Sequence, residues 1–125
     1  MTENEISYKI RGAIFDVYNN LGPGLLESAY EAALGFELGR RQLFYAKQVP
    51  LSMQYESIQL DVCYRLDFLV EDKVIIELKS VETLLNVHHK QLITYLKLSG
   101  VKLGILVNFN TDEIAKSIFR KVNGM

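Results

Sequence analysis

Residues 64–79 read Tyr64-Arg65-Leu66-Asp67-Phe68-Leu69-Val70-Glu71-Asp72-Lys73-Val74-Ile75-Ile76-Glu77-Leu78-Lys79, and the alternation in this stretch decides the fold. Residues 64–70 and 74–79 carry strand-type side chains, and Glu71, Asp72 and Lys73 between them supply a turn. A three-residue loop puts Val70 opposite Val74. Counting back along both strands then puts Asp67 opposite Glu77, with cross-strand Cβ atoms ~5 Å apart. Because successive side chains leave a strand on opposite faces, Leu66, Phe68, Val70, Val74, Ile76 and Leu78 are expected on one face. Arg65, Asp67, Glu77 and Lys79 are expected on the other. The hairpin thus predicts one core face and one charged face.

Working outward toward the N-terminus, Ile6, Ile10, Ile14, Val17 and Leu21 recur three or four apart, the stripe of an amphipathic helix that Gly22 and Pro23 stop. A second helical pattern opens at Gly24, carries Leu26, Tyr30, Ala33, Leu34 and Leu38, and runs to about Arg41. From Phe44 the period shifts to two, through Tyr45, Val49, Leu51, Met53 and Tyr55, with Pro50 marking an edge strand. Glu56 and Ser57 turn the chain into a further extended stretch at 58–61. Beyond the hairpin, residues 87–98 read as a helix with Leu92, Tyr95 and Leu96 inward and Gly100 as its C-cap. Residues 101–109 form an almost wholly apolar strand. Ile114, Ile118 and Val122, at spacing four, predict a closing helix, although Lys116 and Arg120 between them also admit alternation. The first four or five residues are expected to be loose. This order predicts an α/β protein of the α+β type, with helices flanking a central mixed sheet, in one domain over residues 1–125.

The composition fits a compact globular domain. Of 125 residues, 49% are hydrophobic and 23% charged, and 14 Lys and Arg against 15 Asp and Glu leave a net charge of -1. Such a balance excludes a strong global field for nucleic acid, so any such contact must be local. A single cysteine, Cys63, permits neither an internal disulfide nor a cysteine-rich zinc cluster, and suits a reducing, cytoplasmic setting. No apolar run approaches the ~20 residues that span a bilayer, and charges interrupt the N-terminus where a signal peptide would need an apolar core. Phosphate-binding glycine loops and His-Glu-x-x-His motifs are missing.

The chemistry lies in the hairpin. Two carboxylates opposed across a strand pair repel one another unless a cation or a proton sits between them, and a hard divalent cation is the natural occupant. Magnesium takes a few carboxylate oxygens and keeps waters, leaving room for phosphate, and Lys79 would lie beside that site. The same pattern, one apolar and one charged face, is also what any half-exposed antiparallel sheet displays.

Asp67 followed ten residues later by Glu77-Leu78-Lys79 resembles the metal-binding core of the PD-(D/E)XK nuclease superfamily. Gly24-Leu25-Leu26-Glu27-Ser28-Ala29-Tyr30 resembles the Gly-x-x-Glu-x-x-Tyr signature of a small bacterial family placed in it, and Gln91-Leu92-Ile93-Thr94-Tyr95 resembles the Gln-x-x-x-Tyr motif of its RecB-like branch. The likeness spans residues from about 5 to 110; the residue before Asp67 is Leu66 where the superfamily pattern has proline. It implies a restriction-endonuclease-like core and phosphodiester hydrolysis, in DNA ahead of RNA, with Mg2+ as cofactor and Mn2+ as its substitute. It also implies that Glu27, Asp67, Glu77 and the Leu78 carbonyl bind metal. In that reading Lys79 orients the attacking water and stabilises charge on the phosphate. Gln91 and Tyr95, on one helical face, would position substrate with Tyr30 in support.

His88, three residues before Gln91, falls near the same face and is a further candidate for phosphate, with a solvent-exposed helix start as the plainer reading. His89 reads as surface, Lys90 as a local phosphate contact, and Cys63 lacks any nucleophile signature. The rival to an enzyme is a nuclease-like fold kept as a non-catalytic module that binds nucleic acid or protein, as a homodimer or with an unidentified protein partner. A third reading is an enzyme acting on another phosphate-bearing molecule.

Overall fold

The computed structural model describes residues 1–125 as three α-helices and a five-stranded sheet. In chain order they are α1 (Glu3–Leu21), α2 (Glu27–Arg40), β1 (Tyr45–Tyr55), β2 (Ile58–Val70), β3 (Val74–Lys79), α3 (Asn86–Ser99), β4 (Leu103–Asn108) and β5 (Ile118–Val122), with a single 3-10 turn at Ile114–Lys116. The sheet order is β1-β2-β3-β4-β5, antiparallel throughout except for the parallel β3–β4 pair that α3 connects. This is the mixed sheet with flanking helices that the sequence predicts. No helix is long and apolar enough to cross a membrane.

Helices α1 and α2 lie on one face, where Ile6, Ile10, Ile14, Tyr30, Leu34 and Leu38 meet Phe68, Val70, Ile76, Leu78, Ile105 and Val107 in the larger core. Helix α3 covers the other face, where Leu92, Tyr95 and Leu96 meet Leu66, Ile75 and Leu106. The expectation of one core face and one charged face is therefore corrected: both faces of the central strands are covered. A strand covered on both sides must be apolar along its whole length. β3 is buried from Val74 to Leu78, and Glu77 is its one buried charge.

Leu66 also departs from its expected place beside Phe68, since it lies in the smaller core while Phe68 and Val70 lie in the larger one. The strand turns over between them. Opposite that point, Gln48 is absent from the β1–β2 ladder, which pairs Lys47 with Phe68 and Val49 with Leu66. Gln48 holds a left-handed φ of 53°, an unfavourable conformation for a residue with a side chain. Its side-chain amide donates to Glu31 Oε2 of α2 at 2.8 Å, which anchors the kink. Asp67 sits at the crossover.

Three smaller expectations also change. Residues 58–70 form one continuous strand rather than two extended pieces. The N-terminus is ordered from Glu3, because Thr2 and Glu5 cap α1 reciprocally: the Glu5 N–H donates to the Thr2 hydroxyl, and the Thr2 N–H to Glu5 Oε1. The C-terminal segment is a strand, not a helix. β5 pairs with the free edge of β4, and its alternation sends Ile118 to the larger core and Phe119 to the smaller.

α3 approaches the sheet closely at Gly104, where an added Cβ would lie 2.8 Å from Leu92 Cδ1 and 3.0 Å from its Cγ. Leu92 is fully buried and has nowhere to go. Gly104→Ala is expected to lower stability by about 1–3 kcal/mol through overpacking, measurable by urea denaturation. An unchanged midpoint would mean that α3 shifts freely on the sheet.

Candidate active site

At the site the β2–β3 ladder stops one step short of its acids. The last pairs are Val70–Val74, Leu69–Ile75 and Phe68–Ile76. A tight turn sets this register: Glu71 and Asp72 both have positive φ, and the Lys73 N–H donates to the Val70 carbonyl. At the next position the side chains replace the ladder. The Asp67 N–H donates to Glu77 Oε2 at 2.8 Å, and the Leu78 N–H donates to Asp67 Oδ2 at 2.9 Å. Each carboxylate is fixed by the opposite strand's backbone, as the register count predicts, and each keeps an oxygen outside this exchange.

Burial raises the pKa of Asp67, opposed by the Leu78 amide and the charge of Lys79 and assisted by Glu31 and Glu27. Burial and then the Asp67 charge push Glu77 up to about 8. The pair therefore holds a proton at neutral pH. Lys79, half-buried at the end of β3, is near enough for its charge to act on both acids, yet it takes part in none of the ion pairs of the structure.

Glu27 stands at the first residue of α2 and is tied to the chain just beyond Lys79. Its Oε2 accepts from the Ser80 N–H at 3.2 Å, while the Ser80 hydroxyl donates to the Leu25 carbonyl at 2.5 Å. The loop before α2 is itself pinned by Tyr30, whose hydroxyl donates to the Gly22 carbonyl at 2.5 Å and accepts from the Leu25 N–H at 3.2 Å. Gly24 between them has φ 95°, open to glycine and strained for other residues. The Tyr30 ring stacks on Phe109, centroids 4.5 Å apart. Glycine, glutamate and tyrosine of this segment thus form one mechanical unit that fixes Glu27 against the end of β3.

On α3, Gln91 and Tyr95 line a groove with Tyr64 beside the acids. Tyr95 is pushed up to about 12 by burial and by the charges of Glu77 and Asp67. His88 is engaged elsewhere: its Nδ1 accepts from the Leu85 N–H at 3.1 Å, so it caps its own helix. His89 is half-buried rather than plain surface, packed edge-on against Phe119.

No trio of His, Cys, Asp or Glu side chains converges as a metal cage, so Glu27 is not drawn into a three-acid cluster with Asp67 and Glu77. The donor set still suits a hard divalent ion: two adjacent carboxylates with free oxygens and raised proton affinity match a cation that keeps waters and takes one or two protein carboxylates. Sequence reasoning missed three neighbours. Glu31, one turn after Glu27, faces Asp67 and braces Gln48. Ser80 latches the α2 loop. Asn108, buried at the end of β4, accepts from the Val81 N–H at 3.0 Å and donates to the Val81 carbonyl at 2.9 Å, holding the segment that leaves Lys79. The only signal for Asn108 was a polar residue ending an apolar strand.

A family model described as the PD-(D/E)XK nuclease superfamily matches residues 4–121. No curated protein and no solved structure matches the chain significantly.

Proposed function

Since the chain belongs to the PD-(D/E)XK nuclease superfamily, whose members are typically metal-dependent nucleases, we propose that it is a magnesium-dependent nuclease that hydrolyses phosphodiester bonds in nucleic acid, DNA ahead of RNA. The observation that carries this is the exchange between Asp67 and Glu77, two carboxylates each fixed by the opposite strand's backbone, with Lys79 outside any ion pair near them. Two buried carboxylates held side by side repel one another once ionised, and a divalent cation between them would offset that repulsion.

Asp67 and Glu77 would hold the ion. A divalent ion there supplies Lewis acidity toward the scissile phosphate. Lys79 orients the attacking water and offsets the negative charge that develops on the phosphoryl oxygens. Glu27 keeps Ser80, and hence the exit of β3, in place, and Gln91 and Tyr95 position the strand. We place the chain in the Gly-x-x-Glu-x-x-Tyr group and the RecB-like branch, supported by the joint hydrogen bonding of Gly22–Tyr30 and by Gln91 and Tyr95 sharing one groove.

Calorimetric titration of manganese and magnesium into the wild type and Asp67→Ala tests this without a guess about substrate. Binding by the wild type and none by the variant is expected. Equal binding by both would place the metal elsewhere and remove Asp67 from the site. One observation favours the non-catalytic rival, the absence of a three-acid cluster. In that case nucleic-acid affinity survives Asp67→Ala unchanged and no metal-dependent cleavage appears.

A further inference from the structure

Between β2 and α3 lies a groove of about 250 Å3 lined by Tyr64, Val87, Lys90, Gln91, Thr94 and Tyr95. Its floor is Tyr95, which is only 4% exposed. The Tyr95 hydroxyl takes no hydrogen bond from the protein and is not among buried polar atoms without a partner, so it keeps some contact with solvent. One wall is the Tyr64 ring, 36% exposed and tilted at 48° to Tyr95 with centroids 5.6 Å apart. Gln91 and Thr94 bring an amide and a hydroxyl to the opposite wall, and Lys90 puts an exposed ammonium outside every ion pair at the rim.

An aromatic face, a few polar groups able to bond a ring edge and a cation at the mouth describe a site for one flat polar ring attached to a phosphate. The volume is below that of a drug-sized ligand pocket, which limits the occupant to a single ring system. Tyr64 lies three residues before Asp67 on the same strand, ~10 Å along it, so the groove opens beside the acid pair. We infer that this groove takes one unstacked base of the strand being cut, a reading that rests on the nuclease assignment above and makes single-stranded DNA the preferred substrate class. A base inside an intact duplex presents no free face to Tyr64, and bringing it out requires unstacking worth a few kcal/mol. A single strand offers that face freely, and stacking on an aromatic side chain tolerates any base.

The test measures fluorescence anisotropy of a short labelled single-stranded DNA and of its blunt duplex. The protein is Lys79→Ala, with magnesium present, so that the strand is held without being cut. The expected result is single-strand affinity about tenfold or more above duplex affinity, lost when Tyr64→Ala is added and kept when Tyr64→Phe is added. Equal affinity for both DNAs, or an equal loss on both with Tyr64→Ala, overturns the base pocket while leaving the nuclease reading standing. Failure to bind either DNA overturns the nuclease reading and the pocket with it. The Tyr64→Phe variant retains the ring and separates loss of stacking from loss of fold.

Discussion

Lys79→Ala is expected to reduce cleavage by about 100-fold to 1,000-fold or more, chiefly in kcat, while leaving the melting temperature nearly unchanged. Lys79 does little for the fold through its side chain. It takes part in no ion pair, sits half-buried at the last position of β3, and its backbone, not its side chain, holds the sheet, the Phe109 N–H donating to its carbonyl at 2.9 Å. Removing such a side chain leaves the backbone hydrogen bonds that fix β3 in place, so the stability change should stay at about 1 kcal/mol or less.

The catalytic effect is large for the same reason. A cation held near the acid pair without a direct ion-pair contact is preorganised for charge that appears only during reaction, and interactions made only in the transition state act on kcat rather than on KM. Steady-state kinetics on a DNA substrate together with a thermal melt check both halves. Unchanged cleavage would remove Lys79 from the mechanism. A large fall in melting temperature would show instead that it is structural.

The hairpin that carries these residues was legible from sequence because period-two alternation and a three-residue loop leave one register, and that register brings Asp67 and Glu77 together. Glu27 and Tyr30 were legible only through their shared segment, whose meaning emerges when Tyr30 is seen closing the loop on Gly22 and Leu25. What escaped depended on contacts distant in the chain. Nothing local marks Gln48 as the kink that turns β2 over at Asp67, since its left-handed φ is held by Glu31. Ile114, Ile118 and Val122 satisfy a helical spacing and a strand alternation alike. The unpaired edge of β4, invisible in a local window, selects the strand. Asn108 and Ser80 act through single hydrogen bonds that no periodicity announces.

Glu77 should make the metal-free protein less stable as pH rises. In the unfolded chain its carboxyl ionises near 4.5, whereas in the fold burial and then Asp67 hold it protonated to about 8. Between those values the folded state binds more protons than the unfolded state. The corresponding stability is therefore fully present below about pH 4.5, declines through the interval and is gone above about 8. For a pair that shares its titration with Asp67, a loss on the order of 2–4 kcal/mol is expected, roughly 10 °C in melting temperature. Thermal melts in EDTA across that range measure it directly. Glu77→Gln keeps an oxygen to accept from the Asp67 N–H and never ionises, so its profile should fall less steeply there, with only Asp67 left to titrate, and its melting temperature at alkaline pH should exceed that of the wild type. Magnesium competes with the proton of this pair. Because a cation must displace the shared proton, it should stabilise the wild type strongly at alkaline pH, weakly in acid, and Glu77→Gln hardly at all. A flat wild-type profile in EDTA would mean that the acids are not buried as a pair, and the cation site would lose its physical basis.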